Sequence, residues 1–389
     1  MAHELRDETV SILADLVAFP TVSADSNLEL IAYLNQKLDQ LGARTRLTLD
    51  PGGTKANLFA TLGPPEVDGG VVLSGHTDVV PVEGQNWQSD PFAVREQDGR
   101  IYGRGTCDMK GFIACAMAFA PRFAEAELAR PLHFAFTYDE EVGCLGAQVM
   151  LDELVASGRK PGIAIIGEPT SMRLIEGHKG CCEYTTTFTG LEGHASQPDL
   201  GVNAIEYAVR YAARLREIGE SLKGRAPKGS RFDPPWSTIQ AGRIIGGAAR
   251  NIIARHCALE WELRPVNALD FAFAKSNIED YVASELLPRM KQVSPEADIV
   301  TEIIGEVVGL EPTSQSEAEA LIRALTGDRE PALCVSFGTE AGLFQQQGIS
   351  TAICGPGSIQ QAHKPNEYVA LDQLDECLEM IGGLLPRLT

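Results

Sequence analysis

Four short apolar runs in this chain each end in a residue able to bind a metal or move a proton. Val71-Val-Leu-Ser-Gly75 runs into His76-Thr-Asp78, and His133-Phe-Ala-Phe-Thr137 runs into Tyr-Asp-Glu140-Glu141. Gly162-Ile-Ala-Ile-Ile166 runs into Gly-Glu168-Pro-Thr, and Ser350-Thr-Ala-Ile353 runs into Cys-Gly-Pro-Gly, with His363 soon after. Runs this apolar predict strands covered on both faces, as in an α/β sheet. In such sheets ligands bind just beyond the carboxyl ends of the strands. Four ends bearing His, Asp or Glu therefore predict one converging polar cluster.

The rest of the chain supplies the layers around these strands. Residues 5–19 and 26–42 have the periodicity of amphipathic helices, and Asn57–Leu62 reads as another strand. Helices are expected over Gly111–Phe119 and Leu145–Ala156. Near residue 179 the texture changes. Cys182–Thr189 reads as a strand, Asn203–Ile218 as a helix and Gly219–Pro235 as a loop. Ser237–Ile244 and His256–Glu262 read as strands, Asp270–Lys291 as one helix and Asp298–Ile304 as a strand. This β-α-β-β-α-β order is that of a ferredoxin-like α+β domain. It predicts an insertion over 179–308 within an α/β domain of 1–178 and 309–389. After Pro312 come a helix at Ser316–Thr326, strands at Ala332–Ser336 and Ser350–Ile353, and a closing helix at Leu371–Leu385. A length of 389 residues also favours two domains.

Charge and cysteine usage narrow the setting. A formal net charge of −20 argues against a nucleic-acid partner. Nine cysteines without a CxxC pair predict free thiols and a reducing cytoplasm. The N-terminal segment lacks the apolar core of a signal peptide, and no apolar run is long enough to predict a membrane span.

Imidazole and carboxylate without thiolate suit zinc or a similar metal in a catalytic site. Two histidines with several carboxylates suit two metal ions sharing one carboxylate. Within Glu140-Glu141, one residue can ligate while the other takes a proton from water; the bland alternative is a solvated acidic turn. Asp78 is placed to partner the second ring nitrogen of His76, or else caps a turn. Asp108 follows a glycine-rich stretch and precedes a helix, which fits a cap or a metal ligand. The glycines there (103, 105 and 111) miss the dinucleotide spacing. No cysteine has an evident histidine partner, which disfavours a thiol hydrolase. Arg264, at a strand end, could grip an α-carboxylate or simply serve the surface.

Taken in order, these segments resemble the M20 metallopeptidase family. The matching stretches are Ser74–Pro81, Gly103–Gly111, Asp139–Gly143, Gly167–Thr170 and Ala362–Glu367. The resemblance implies a zinc-peptidase-like catalytic domain with an inserted lid that also forms a homodimer interface. It implies two metal ions, zinc or cobalt, held by His76, Asp108, Glu141, Glu168 and His363, with Asp108 bridging. Glu140 would be general base and proton donor, and Asp78 would orient His76. His194, in Gly190–Pro198, matches the lid histidine that stabilises the oxyanion from its own or the partner subunit. Asn251 matches an asparagine near the substrate. Asn366 stands where an aspartate is expected. The implied reaction is hydrolysis of a small N-acylated amino acid. Val335–Phe344, Cys354–Tyr368 and Glu168 are most similar to the branch that deacetylates N-acetyl-L-ornithine in arginine biosynthesis. Glu340 would then meet the substrate amine. A desuccinylase or aminoacylase of the family would keep the same catalytic residues. A non-catalytic binding protein would lack Glu140 or a ligand, and both kinds are present.

Overall fold

The computed structural model describes residues 2–158 and 160–389, with side chains from Leu5 onward. The chain forms two compact units. One comprises the chain through Gly177, Pro312–Leu333 and Thr339–Thr389; the other comprises His178–Glu311 and Cys334–Gly338.

The first unit is built on an eight-stranded mixed sheet. Its order is Arg44–Leu49, Ala56–Leu62, Leu132–Thr137, Val71–His76, Ile163–Ile166, Ser350–Ile353, Ile175–His178 and Leu333–Val335. The four apolar runs form the parallel centre. His76 lies opposite Thr137, and Ser74 and Ile353 both lie opposite Ile166, so their carboxyl ends line one edge of the sheet.

Every residue of Val71–His76 and Leu132–Thr137 is buried, because both faces are covered. Ser74 faces Glu340, while a Cβ on its neighbour Gly75 would lie 3.1 Å from Ile113. Ile113 belongs to the helix Lys110–Ala124, which packs with the helices Ala2–Val17 and Leu371–Gly382. Leu28–Gln40 and Leu145–Ala156 pack on the strand Ala56–Leu62.

The strand Arg44–Leu49 is an addition to the sequence reading. Most of its residues are exposed, and it pairs antiparallel with Ala56–Leu62. It has no apolar run by which to be recognised.

The second unit carries a four-stranded antiparallel sheet in the order Thr238–Gly246, His256–Arg264, Cys181–Thr189, Asp298–Val307. Burial alternates along its two central strands, so one face is packed and one is open. The packed face stacks Tyr184 on Trp261, with ring centroids 4.2 Å apart, beneath the helices Ala204–Lys223 and Ala268–Tyr281.

Two expected boundaries in this unit move. The first helix runs through Gly219 to Lys223. A Cβ at Gly219 would come within 3.0 Å of Ile239, so this glycine serves close packing rather than a helix end. The expected single helix 270–291 is interrupted by a π-turn at Val282–Leu286, before Leu287–Val293. Pro288 has no N–H to give the carbonyl four residues back, and the ladder widens there.

Candidate active site

The strand end at His76 fixes a buried imidazole. Its Nδ1 lies 2.9 Å from the carbonyl oxygen of Asp78. A carbonyl only accepts, so Nδ1 donates and Nε2 is left bare in the neutral ring. Nε2 lies 3.1 Å from Asp108 Oδ1 and 4.0 Å from Glu168 Oε1. Glu168 stands just after the strand Ile163–Ile166, behind Gly167. A Cβ at Gly167 would fall 2.0 Å from the Phe112 ring, so any larger residue would displace the turn that carries Glu168.

The other oxygen of Asp108 serves a second cluster. Oδ2 lies 3.5 Å from Nε2 of His363, which is 3.0 Å from Glu141 Oε2. His363 adopts a left-handed backbone, φ 61°, and is exposed, whereas His76, Asp108 and Glu168 are buried. Two donor sets therefore share Asp108. In His76–Asp108–Glu168 and in Asp108–Glu141–His363, the candidate ligand atoms lie within 4.8 Å of one another.

The chemistry of these donors fits metal cations. Glu168 Oε1 is buried with no hydrogen-bond partner among the described residues. Burial pushes the Glu140 carboxyl well above the usual range; His76 opposes this, while Glu141, Asp108 and Asp78 add to it. Glu168 rises likewise, through burial and then the charges of Asp108 and Glu140. Burial works against protonated His76, yet the hydrogen bond to Asp108 and the nearby glutamates hold it well above its ordinary value. His363 is raised to about 10 by its bonds to Asp108 and Glu141. Such crowded carboxylates need positive charge, and divalent cations supply it without occupying the ring nitrogens with protons.

Glu140 is held by an adjacent loop. The Asp78 carboxylate accepts the backbone N–H of Glu140 at 3.1 Å and that of Glu141 at 3.3 Å, and the Ser23 hydroxyl at 2.7 Å. Its nearer oxygen lies 3.7 Å from His76 Nδ1, so His76 is oriented chiefly by the Asp78 carbonyl. Asp78 thus partners the second ring nitrogen of His76 through its backbone rather than its carboxylate. The Cys144 thiol lies 3.5 Å from Glu140 Oε1.

A buried carboxylate below the ligands had no assigned role in the sequence reading. Glu367 is 1% exposed. It accepts from Arg104 Nη1 at 2.7 Å and from the backbone N–H groups of Gly105, Cys107 and Asp108 at 2.9–3.0 Å. Both Glu367 and Arg104 lie in the matched motifs; a charge of each sign with no role was the available signal. Asn366 adopts φ 59° and its Oδ1 accepts the Gln88 N–H at 2.9 Å. Asparagine tolerates that conformation as aspartate does.

Glu340 does not line an open pocket. It is 1% exposed and accepts hydrogen bonds from the Ser74 and Thr137 hydroxyls behind the strand ends. Burial raises its carboxyl, and those two hydroxyls oppose the rise. The remaining named residues belong to the second unit. His194 is exposed, with Nδ1 2.7 Å from the Ser196 hydroxyl. The Asn251 carbonyl accepts the Ala195 N–H at 3.2 Å. Arg264 pairs with Glu262 at 3.1 Å.

Known proteins share both the sequence and the fold. An acetylornithine deacetylase from Pasteurella multocida (strain Pm70) is 34% identical over 377 residues, covering 95% of each chain. One from Proteus mirabilis (strain HI4320) is 34% identical over 383 residues, covering 97% of this chain and 95% of that one. An M20 family metallo-carboxypeptidase from Sulfolobus solfataricus superposes with a TM-score of 0.73 at 16% identity, over 97% of this chain and 98% of that one. A dinuclear metal binding peptidase of the M20 family from Bacillus subtilis superposes with a TM-score of 0.67 at 15% identity, over all of both chains. The family model for peptidase family M20/M25/M40 matches residues 72–387, a stretch holding every ligand candidate from His76 to His363, and the chain belongs to that family.

Proposed function

We propose that this chain is a dinuclear metal-dependent deacetylase that hydrolyses N-acetyl-L-ornithine to acetate and ornithine, a step of arginine biosynthesis. The observation behind this reading is the pair of donor sets sharing Asp108, with Glu140 held beside them. The substrate follows from the acetylornithine deacetylases that match nearly the whole chain.

His76, Asp108 and Glu168 would hold one ion and Asp108, Glu141 and His363 the other, with zinc the first choice for these donors and cobalt a second. When bound, the ions supply Lewis acidity toward the acyl carbonyl and lower the pKa of water. Glu140 takes a proton from the attacking water as its oxygen adds to the acyl carbon. Asp78 keeps Glu140 aimed by gripping its backbone N–H. The carbon–nitrogen bond then breaks, and Glu140 returns the proton to the leaving amine. We assign oxyanion stabilisation to His194 and substrate contact to Asn251 and Arg264. His194→Ala should lose turnover and keep its metal; loss of metal instead would make His194 a ligand.

In this reading the second unit, with its β-α-β-β-α-β order, is a ferredoxin-like lid. Its edge strands expose Ile244, Ile245, Val300, Ile303 and Ile304, which supports a homodimer through the lid. Among the described residues no helix is long and apolar enough to cross a membrane and no disulfide joins the cysteines; a reducing cytoplasm is the setting we assign to the enzyme.

The deciding test is hydrolysis of N-acetyl-L-ornithine by zinc-loaded protein, beside N-succinyl-diaminopimelate and N-acetyl-L-methionine. Strong preference for acetylornithine is expected. Preference for either rival would keep the catalytic residues and replace the substrate.

A further inference from the structure

Around the two donor sets runs a polar brace whose hydrogen bonds go to backbone groups and to one another. Arg104 is 1% exposed. One of its terminal nitrogens binds Glu367, and the other donates to Gln85 Oε1 at 2.6 Å. Gln85 Nε2 donates to the backbone carbonyl of His363 at 3.0 Å. The Trp87 indole N–H donates to Gln85 Oε1 at 3.0 Å, and the Arg104 guanidinium lies over the Trp87 ring, 5.1 Å from its centroid. Glu367 meanwhile grips the backbone of Cys107 and Asp108. The brace thus ties the loop of Asp108 to the loop of His363.

We propose that Glu367, Arg104 and Gln85 are positioning residues that fix the spacing of Asp108 and His363, and so set the affinity of the Asp108–Glu141–His363 site for its metal ion. The geometry is asymmetric in a way that makes the effect selective. His76 and Glu168 stand on strand ends walled by the core and 4% exposed or less. His363 stands on an exposed loop in a left-handed conformation. Its backbone carbonyl is held by Gln85 from the neighbouring loop. Loosening the brace frees His363 to drift, whereas His76 and Glu168 keep their own supports.

This inference rests on the dinuclear reading. Its test is a zinc titration of metal-free full-length protein, followed by calorimetry and by metal content after dialysis. The variants are Glu367→Gln and Gln85→Met. Glu367→Gln leaves buried Arg104 without its counter-charge and can fail to fold. Gln85 is half-buried and neutral, so Gln85→Met gives a folded probe of the same brace. The expected result is two binding steps in the parent protein. In Gln85→Met one of the two steps should weaken roughly 10–100-fold, the loss typical when a group supporting a ligand is removed, while the other stays put; Glu367→Gln, which also releases the shared Asp108, should weaken both. A merely structural role would lower the melting temperature and shift both steps together, or neither; either pattern in Gln85→Met overturns the proposal. A parent protein that binds only one zinc overturns the dinuclear reading itself, and the brace proposal with it.

Discussion

Asp78 holds Glu140 by its backbone, not by its side chain: the Asp78 carboxylate accepts the Glu140 N–H at 3.1 Å. The backbone of Glu140 is pinned to the His76 loop, while its carboxylate meets the weak thiol donor of Cys144. Asp78→Ala removes this anchor and one polar neighbour of His76, yet leaves the Asp78 carbonyl that orients the ring. Turnover should fall roughly 10–100-fold, as for other groups that support a metal site, with both ions retained. Kinetics beside metal analysis decides it. Loss of an ion with the activity would mean that Asp78 serves the ligands rather than Glu140.

Glu140 itself should be indispensable for the chemical step. No ligand candidate depends on its carboxylate, so Glu140→Ala should bind two ions as the parent does. General acid–base catalysis contributes roughly 10²–10⁴-fold, and both proton transfers pass through this group. The drop should appear in kcat, with little change in KM. A variant within a factor of ~10 of the parent would remove Glu140 from the mechanism.

The parts of the site legible in the sequence are those written locally. His76 ends its strand, Glu141 and Glu168 follow theirs within a few residues, and parallel pairing brings such ends to one edge. What was not legible depends on partners far away in the chain. Arg104 and Glu367 are 263 residues apart, and neither has a neighbour in sequence that predicts a buried pair. Glu340 followed the same rule. Nothing near it in sequence announces Ser74 and Thr137, whose hydroxyls donate to its two oxygens. The interrupted helix at Val282–Leu286 was in principle readable from Pro288, but its apolar spacing continues across the break.

Two buried histidines away from the metal ligands should shape stability in acid. Burial lowers His133 to about 4, although its Nε2 donates to the Gly69 carbonyl. Burial likewise lowers His178 to about 4, with Nδ1 donating to the Lys179 carbonyl. Between pH 6.5 and 4 the unfolded chain binds protons that the folded chain refuses, so stability should fall as the pH drops through that window and be flat in this respect above it. His133→Gln retains a donor and an acceptor and cannot titrate. Urea unfolding at pH 7 and pH 4.5 should show a smaller loss in the variant than in the parent. Equal losses would show that His133 already titrates normally in the folded protein.

Glu340 separates two explanations of its place behind the strand ends. It has no exposed face to offer an ornithine amine, and it joins Ser74 and Thr137, residues of the neighbouring strands that carry His76 and lead to Glu140. Glu340→Gln keeps one acceptor but loses the other and the charge, which should let those strand ends relax. The expected outcome is a common fall in kcat, by roughly 10-fold, on N-acetyl-L-ornithine and on N-acetyl-L-methionine, whose side chain has no charge. If Glu340 instead met the substrate amine, the variant would lose acetylornithine hydrolysis through KM and keep its rate on acetylmethionine. Comparing the two substrates in one variant therefore distinguishes support of the catalytic edge from recognition of a cation.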